Sequence, residues 1–135
     1  MSESYEVPSD LYYTKEHVWL RVENKKATLG ITDYAQKKLR EVIYVELPNV
    51  GQKVEENEPI ATLESVKASA EVYSPIEGKV IEVNSKLVDS PELVNDDPYG
   101  EGWIVKLEIV DESQLEKLME SDEYTKYLED LEESQ

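Results

Sequence analysis

Lys67 is the only basic residue between Lys53 and Lys79, at the centre of Glu64-Ser65-Val66-Lys67-Ala68, with Pro59 and Pro75 eight positions to either side. Ser65, Val66, Ala68 and Ser69 are small, so the amine stands clear of its neighbours. Schiff-base or general-base work needs a lysine pressed to lose its charge by burial or by a second cation. The acidic surroundings (Glu55, Glu56, Glu58, Glu64, Glu71 and Glu77) supply neither. A passive tether needs no such tuning, and its chemistry comes from a cofactor hung on the amine by another protein. Other reactive sets are missing from the sequence. There is no cysteine, hence no thiolate, disulfide or thiolate metal site. His17 is the single histidine, which rules out a multi-histidine metal site, and no Ser-His-Asp set stands out around it. The many carboxylates lack the spacing of an EF-hand loop. The chain reads as a carrier with no catalytic residue of its own.

Such a lysine has to be held out by a rigid support. Ile60–Ser65 and Ser69–Tyr73 read as two arms of a β-hairpin with Lys67 at its tip. Upstream, His17–Val22 and Lys25–Ile31 read as strands joined at Glu23-Asn24, and Thr32 offers an N-cap to a short amphipathic helix over Asp33–Arg40. Val42–Leu47 is again strand-like, and Asn57 sits where a turn demands positive φ. Ser90–Val94 suggests a second helix with Pro91 in its first position, and Trp103–Ile109 alternates as the last strand. Short strands punctuated by Gly, Pro and Asn point to a compact β sandwich or barrel. Leu115, Leu118, Met119, Tyr127, Leu128 and Leu131 predict one C-terminal helix, or two broken near Ser121. The expected organisation is an acidic lead-in over 1–12, a β domain over 13–110 and an acidic helical segment over 111–135.

The chain has 135 residues, 31 acidic and 14 basic, for a net charge of −17. That excess argues against nucleic acid or an anionic membrane as partner, since phosphates require clustered Lys and Arg. It suits a soluble carrier steered toward basic docking surfaces. No apolar run reaches the roughly 18 residues of a membrane helix, and no signal peptide is evident. A cytoplasmic monomer is expected.

Several blocks together resemble the glycine cleavage system H proteins, a lipoyl-carrier family. They are Gly30–Gln36, Val45-Glu-Leu-Pro48, Glu64–Ala68, Val72-Tyr-Ser-Pro75, Gly78-Lys-Val80, Pro91–Asn95 and Asp97-Pro-Tyr-Gly100 with Gly102-Trp103. The resemblance implies a mostly β fold, a lipoyl/biotinyl-type barrel-sandwich hybrid with short flanking helices. It implies covalent lipoate on Lys67 as N6-lipoyllysine, attached by a lipoate ligase or lipoyl transferase. The implied partners are the pyridoxal-phosphate glycine decarboxylase, the tetrahydrofolate-dependent aminomethyltransferase and dihydrolipoyl dehydrogenase. Val66 and Ala68 around the lysine disfavour a biotin carrier, which would resemble Ala-Met-Lys-Met. Two positions depart from the family pattern. Val18 follows His17 where the family has a glutamate lining the cleft for the loaded arm, leaving Glu16, His17 and Glu71 as cleft candidates. Arg40 stands where the family usually has glycine, implying a changed helix cap or a changed contact surface. The alternative implied by these departures is an H-like lipoate-binding carrier serving sulfur oxidation with a heterodisulfide-reductase-like complex.

Overall fold

The computed structural model describes residues 4–133. The elements are β1 Tyr12–Tyr13, β2 Val18–Glu23, β3 Lys26–Ile31, α1 Asp33–Leu39, β4 Val42–Glu46, β5 Lys53–Val54, β6 Pro59–Ser65, β7 Ser69–Tyr73 and β8 Gly78–Val83. They continue with α2 Lys86–Asp89, α3 Leu93–Asp96, β9 Val105–Ile109, a 3-10 turn Glu112–Lys117 and α4 Ser121–Glu133. Every pairing is antiparallel. Six strands form one sheet in the order β1-β2-β3-β9-β8-β5, and three form a second, β4-β6-β7. The expected mostly β, two-sheet architecture with short flanking helices is observed, and the hairpin that carries Lys67 is the β6–β7 pair of the smaller sheet.

The two sheets share one core. Val18, Leu20, Leu29 and Leu107 from the larger sheet meet Val42, Val45, Leu63 and Val72 from the smaller. Period-2 alternation places one face of each strand inward, but β2 buries Val18, Trp19 and Leu20 in succession. Both faces of β2 are covered. Trp19 belongs to a second cluster with Leu11, Tyr13, Tyr34, Tyr99, Tyr124 and Leu128, where the N-terminal segment and α4 close over the back of the sheet. Trp19 Nε1 donates to the Pro98 carbonyl (2.9 Å). Tyr13 and Met119 exchange backbone hydrogen bonds of 2.8 and 2.9 Å, stitching the C-terminal segment to β1. The aliphatic and tyrosine residues of the C-terminal stripe are core, as their spacing suggests.

Three local expectations shift in the structure. The β2–β3 turn lies at Asn24 and Lys25, with φ 46° and 63°; two consecutive positive φ values are the hairpin geometry that matches strand twist. The expected helix around Ser90–Val94 is two short helices, α2 ending before Pro91 and α3 beginning at Leu93. Leu87 and Val94, both fully buried, anchor the two turns separately. The C-terminal segment has a 3-10 turn before α4 begins at Ser121. Among the described residues no helix is long and apolar enough to cross a membrane.

Candidate functional site

The tip of the β6–β7 hairpin is built around Ser65, which is buried. Its backbone N–H donates to the Ala68 carbonyl (2.8 Å). Its Oγ accepts from the N–H groups of Lys67 (3.2 Å) and Ala68 (3.0 Å) and donates to the Ala68 carbonyl (3.0 Å). A short hydroxyl side chain satisfying nearby backbone donors is the chemistry that stabilises tight turns. The Val66 N–H donates to the carbonyl of Glu41 (3.1 Å), which fastens the tip to the segment following α1. The loop backbone is thus held from within and from outside. The side chains of Val66, Lys67, Ala68 and Ser69 remain exposed. Among the described residues Lys67 has no ion-pair partner. An unencumbered primary amine on a fixed backbone is a fit support for a covalently attached group.

The segment beneath the tip is equally defined. Thr32 caps α1 through Oγ1, which accepts from the Ala35 N–H (3.3 Å), as the sequence predicts. At the other end Arg40 has φ 70° and ψ −155°, a backbone region that favours glycine. Asn95 holds this turn in place. Its Nδ2 donates to the Arg40 carbonyl (2.7 Å) and to Gln36 Oε1 (3.0 Å), and its Oδ1 accepts from the Val42 N–H (2.9 Å). Asn95 is a supporting residue that sequence reasoning did not single out; nothing local to α3 signals its reach to α1.

The other site candidates lie away from the tip. From Lys67 the exposed residues Ser69, Glu71 and Tyr73 run along the outward face of β7, with Glu71 opposite Thr62. Tyr73 then lines a cavity of about 260 Å³ shared with Lys15, Glu16, Glu56, Asn57 and Lys117. Glu16 is therefore at this cavity, and Glu71 is on the strand between it and the tip. Lys117 and Glu56 form an ion pair across it (3.3 Å). Asn57 has φ 69°, the positive value its position demands. Its N–H donates to the Ser74 carbonyl (2.6 Å).

The ring of His17 lies among Tyr34, Tyr124 and Tyr127, with centroids 4.5, 5.9 and 6.0 Å away. Its Nδ1 is 2.8 Å from the Tyr124 hydroxyl, which is itself 2.7 Å from Thr32 Oγ1. Thr32 Oγ1 already accepts from Ala35, so the order that satisfies every group runs Thr32 to Tyr124 to His17, with Nδ1 accepting. Burial lowers the His17 pKa from 6.5 to about 4, keeping the ring neutral. Burial raises the phenols of Tyr13, Tyr99 and Tyr124. His17 thus packs the back of the larger sheet and is not among the residues lining the cavity. Its φ of 66° is one that histidine tolerates better than most side chains.

Comparison with known proteins adds an independent observation. A family model described as "Glycine cleavage H-protein" matches residues 11–131. The glycine cleavage system H protein of Halothermothrix orenii is 49% identical over 126 residues, covering 93% of this chain and 98% of that protein. That of Carboxydothermus hydrogenoformans is 45% identical over 124 residues, covering 92% and 95%. Among solved structures, a glycine cleavage system H protein from Mycobacterium marinum superposes with a TM-score of 0.82 at 30% identity, covering 90% of this chain and 98% of that one.

Proposed function

The chain belongs to the glycine cleavage H-protein family, and on that premise we propose that Lys67 is the residue that carries lipoate and makes this protein the shuttle of the glycine cleavage system. The observation that supports Lys67 is its exposed amine on a backbone fixed by Ser65 and Glu41. Lipoate in amide linkage there supplies a dithiol that takes up and releases an aminomethyl group. The residues of this chain provide anchorage and a path. From Cα, a lipoylated lysine side chain extends roughly 14 Å at the advance of ordinary single bonds. Glu71, four residues further along the chain on β7, is at most roughly 13 Å away at the rise of a strand. Glu71 and then Glu16 are the carboxylates along the face leading to the cavity, suited to a cationic cargo in place of the acid absent at Val18. His17 acts in this reading by holding the entry to β2.

The protein is a carrier component; the proposed reaction partners are a glycine decarboxylase, an aminomethyltransferase and dihydrolipoyl dehydrogenase, with a lipoate ligase or lipoyl transferase loading Lys67. Transient visits to several enzymes profit from charge steering more than from tight burial, which suits a net charge of −17. In this reading residues 13–110 are the carrier proper, the described parts of the flanking segments (4–12 and 111–133) close its back, and the protein works as a cytoplasmic monomer. The names of the relatives favour glycine cleavage over a sulfur-oxidation role. The test is reconstitution. Treatment with lipoate, ATP and a lipoate ligase should add one lipoyl group at Lys67, and the loaded protein should support exchange of labelled bicarbonate into glycine by the decarboxylase. Lys67→Arg keeps the charge but not the acylable amine, so it should stay unlabelled and inactive with an unchanged unfolding midpoint. Lipoylation at another residue, or exchange by Lys67→Arg, would refute the assignment.

A further inference from the structure

The edge strand β4 turns two consecutive large apolar residues toward solvent. Its side chains run in, out, out, in, out: Val42 and Val45 are buried, while Ile43 is 53% and Tyr44 50% exposed. The cause is a register shift against β6, where Val42 pairs with Ser65 but Tyr44 with Glu64. A bulge of this kind inserts one residue and re-aims its neighbours; without it, strict alternation would bury one of the two. Val66, 65% exposed, lies on the same flank of the tip, because its N–H bonds the Glu41 carbonyl and its neighbour Ser65 pairs with Val42. The exposed carboxylates Glu41, Glu46 and Glu64 border these three side chains, with Arg40 at the edge. An apolar centre inside a polar rim is the anatomy of a protein interface, and this rim asks for Lys and Arg opposite.

The reach of the lysine selects among partners. An enzyme that uses the finished arm can stand off by the roughly 14 Å that arm spans, whereas an unmodified lysine extends only about 6 Å from Cα. Whatever first modifies Lys67 must therefore cover the tip and its flanks. A standard interface of roughly 800 Å² per partner centred on Lys67 would take in Val66, Ile43 and Tyr44. We infer that the bulged face of β4, with Val66, is the docking surface for the enzyme that acylates Lys67, a partner with an apolar centre and a basic rim. The inference rests on the reading of Lys67 as the attachment point. In the step it serves, the uncharged amine attacks the carbonyl carbon of an activated lipoyl donor, such as a mixed acyl-phosphate anhydride. The C–N amide bond forms, the bond from that carbon to the phosphate oxygen breaks, the phosphate side departs with the electron pair, and the nitrogen releases one proton.

The test compares wild type with the double variant Ile43→Thr, Tyr44→Thr, in which threonine keeps strand propensity but removes the apolar surface. A Val50→Thr control removes an exposed apolar residue outside this face; Val50 is 62% exposed. Thermal unfolding first establishes that all three are folded. With a purified lipoate ligase, ATP and lipoate, initial rates should give a kcat/KM about tenfold lower for the double variant, the effect of losing central contact residues. The control should match wild type. After exhaustive loading, the double variant should support glycine–bicarbonate exchange within about twofold of wild type, since the stand-off argument leaves that enzyme clear of the patch. Equal ligation rates for variant and wild type would overturn the inference. So would a loss in exchange as large as that in ligation, which would give the patch to enzymes that use the arm. Failure of the wild type to accept lipoate would instead sink the assignment of Lys67 itself.

Discussion

Replacing Arg40 with glycine should stabilise this protein. With φ 70° and ψ −155°, Arg40 occupies a region nearly reserved for glycine, at a cost on the order of 1–3 kcal/mol for a residue with a side chain. The geometry is imposed from both sides: its N–H donates to the Gln36 carbonyl (2.9 Å) and its own carbonyl accepts from Asn95 (2.7 Å). Its side chain is exposed, and among the described residues it makes no ion pair, so truncation loses little. Glycine also frees the unfolded chain, which offsets about 0.5–1 kcal/mol. The net expectation is about 1 kcal/mol. An unfolding entropy of about 2.1 cal/mol/K per residue makes roughly 0.3 kcal/mol/K for this chain length, so Tm should rise by about 3–4 °C. Urea unfolding should show a higher midpoint at unchanged slope. Arg40→Ala, which keeps a Cβ, should stay within about 0.5 kcal/mol of wild type. An unchanged or lowered midpoint for Arg40→Gly would refute the backbone argument, and an equal gain from Arg40→Ala would move the cause to the side chain.

Two further predictions concern the back of the larger sheet. His17 titrates near 6.5 when unfolded and at about 4 when folded, so on acidification the unfolded chain takes up the proton first. Its contribution to stability is therefore full above pH 6.5, declines between 6.5 and 4, and amounts to about 2–3 kcal/mol for a part-exposed ring. Urea midpoints at pH 7 and pH 4 should diverge less in His17→Asn than in wild type; an equal divergence would show that the ring is not the group responsible. Gly30→Ala would set a Cβ 2.7 Å from the buried Trp19 indole, which its bond to Pro98 holds in place. Overpacking of that kind should cost about 1–3 kcal/mol in chemical denaturation, and a neutral result would mean that the indole can shift.

The parts of this fold that were legible in the sequence rest on local chemistry. The Thr32 cap, the positive φ at Asn57 and the outgoing and returning arms around Lys67 follow from residue type and period. Glycine's absence at position 40 suggests a changed cap or contact surface, yet Arg40 keeps the positive φ that glycine would favour, because hydrogen bonds with Gln36 and Asn95 impose it. What was not legible depends on distant segments meeting. Trp19 is buried because α4 and the N-terminal segment cover the outer face of β2, which nothing within that strand reveals. The tyrosine cage around His17 draws on α1 and α4, and Asn95 reaches α1 from α3, a span no local pattern encodes. The bulge in β4 left a trace, the apolar run Val42–Val45, but telling a buried strand from a bulged one required the register against β6. The cavity shared by Glu16 and Tyr73 likewise joins segments far apart along the chain.

Because Ser65 and Glu41 pin every peptide of the loop around Lys67, the anchor contributes almost no disorder of its own. In the proposed role, when a visiting enzyme swallows the arm, the entropy surrendered would come from rotors beyond the Cα. Each successive host would then start from the same pivot, and none would have to refold the mount before reading what hangs from it.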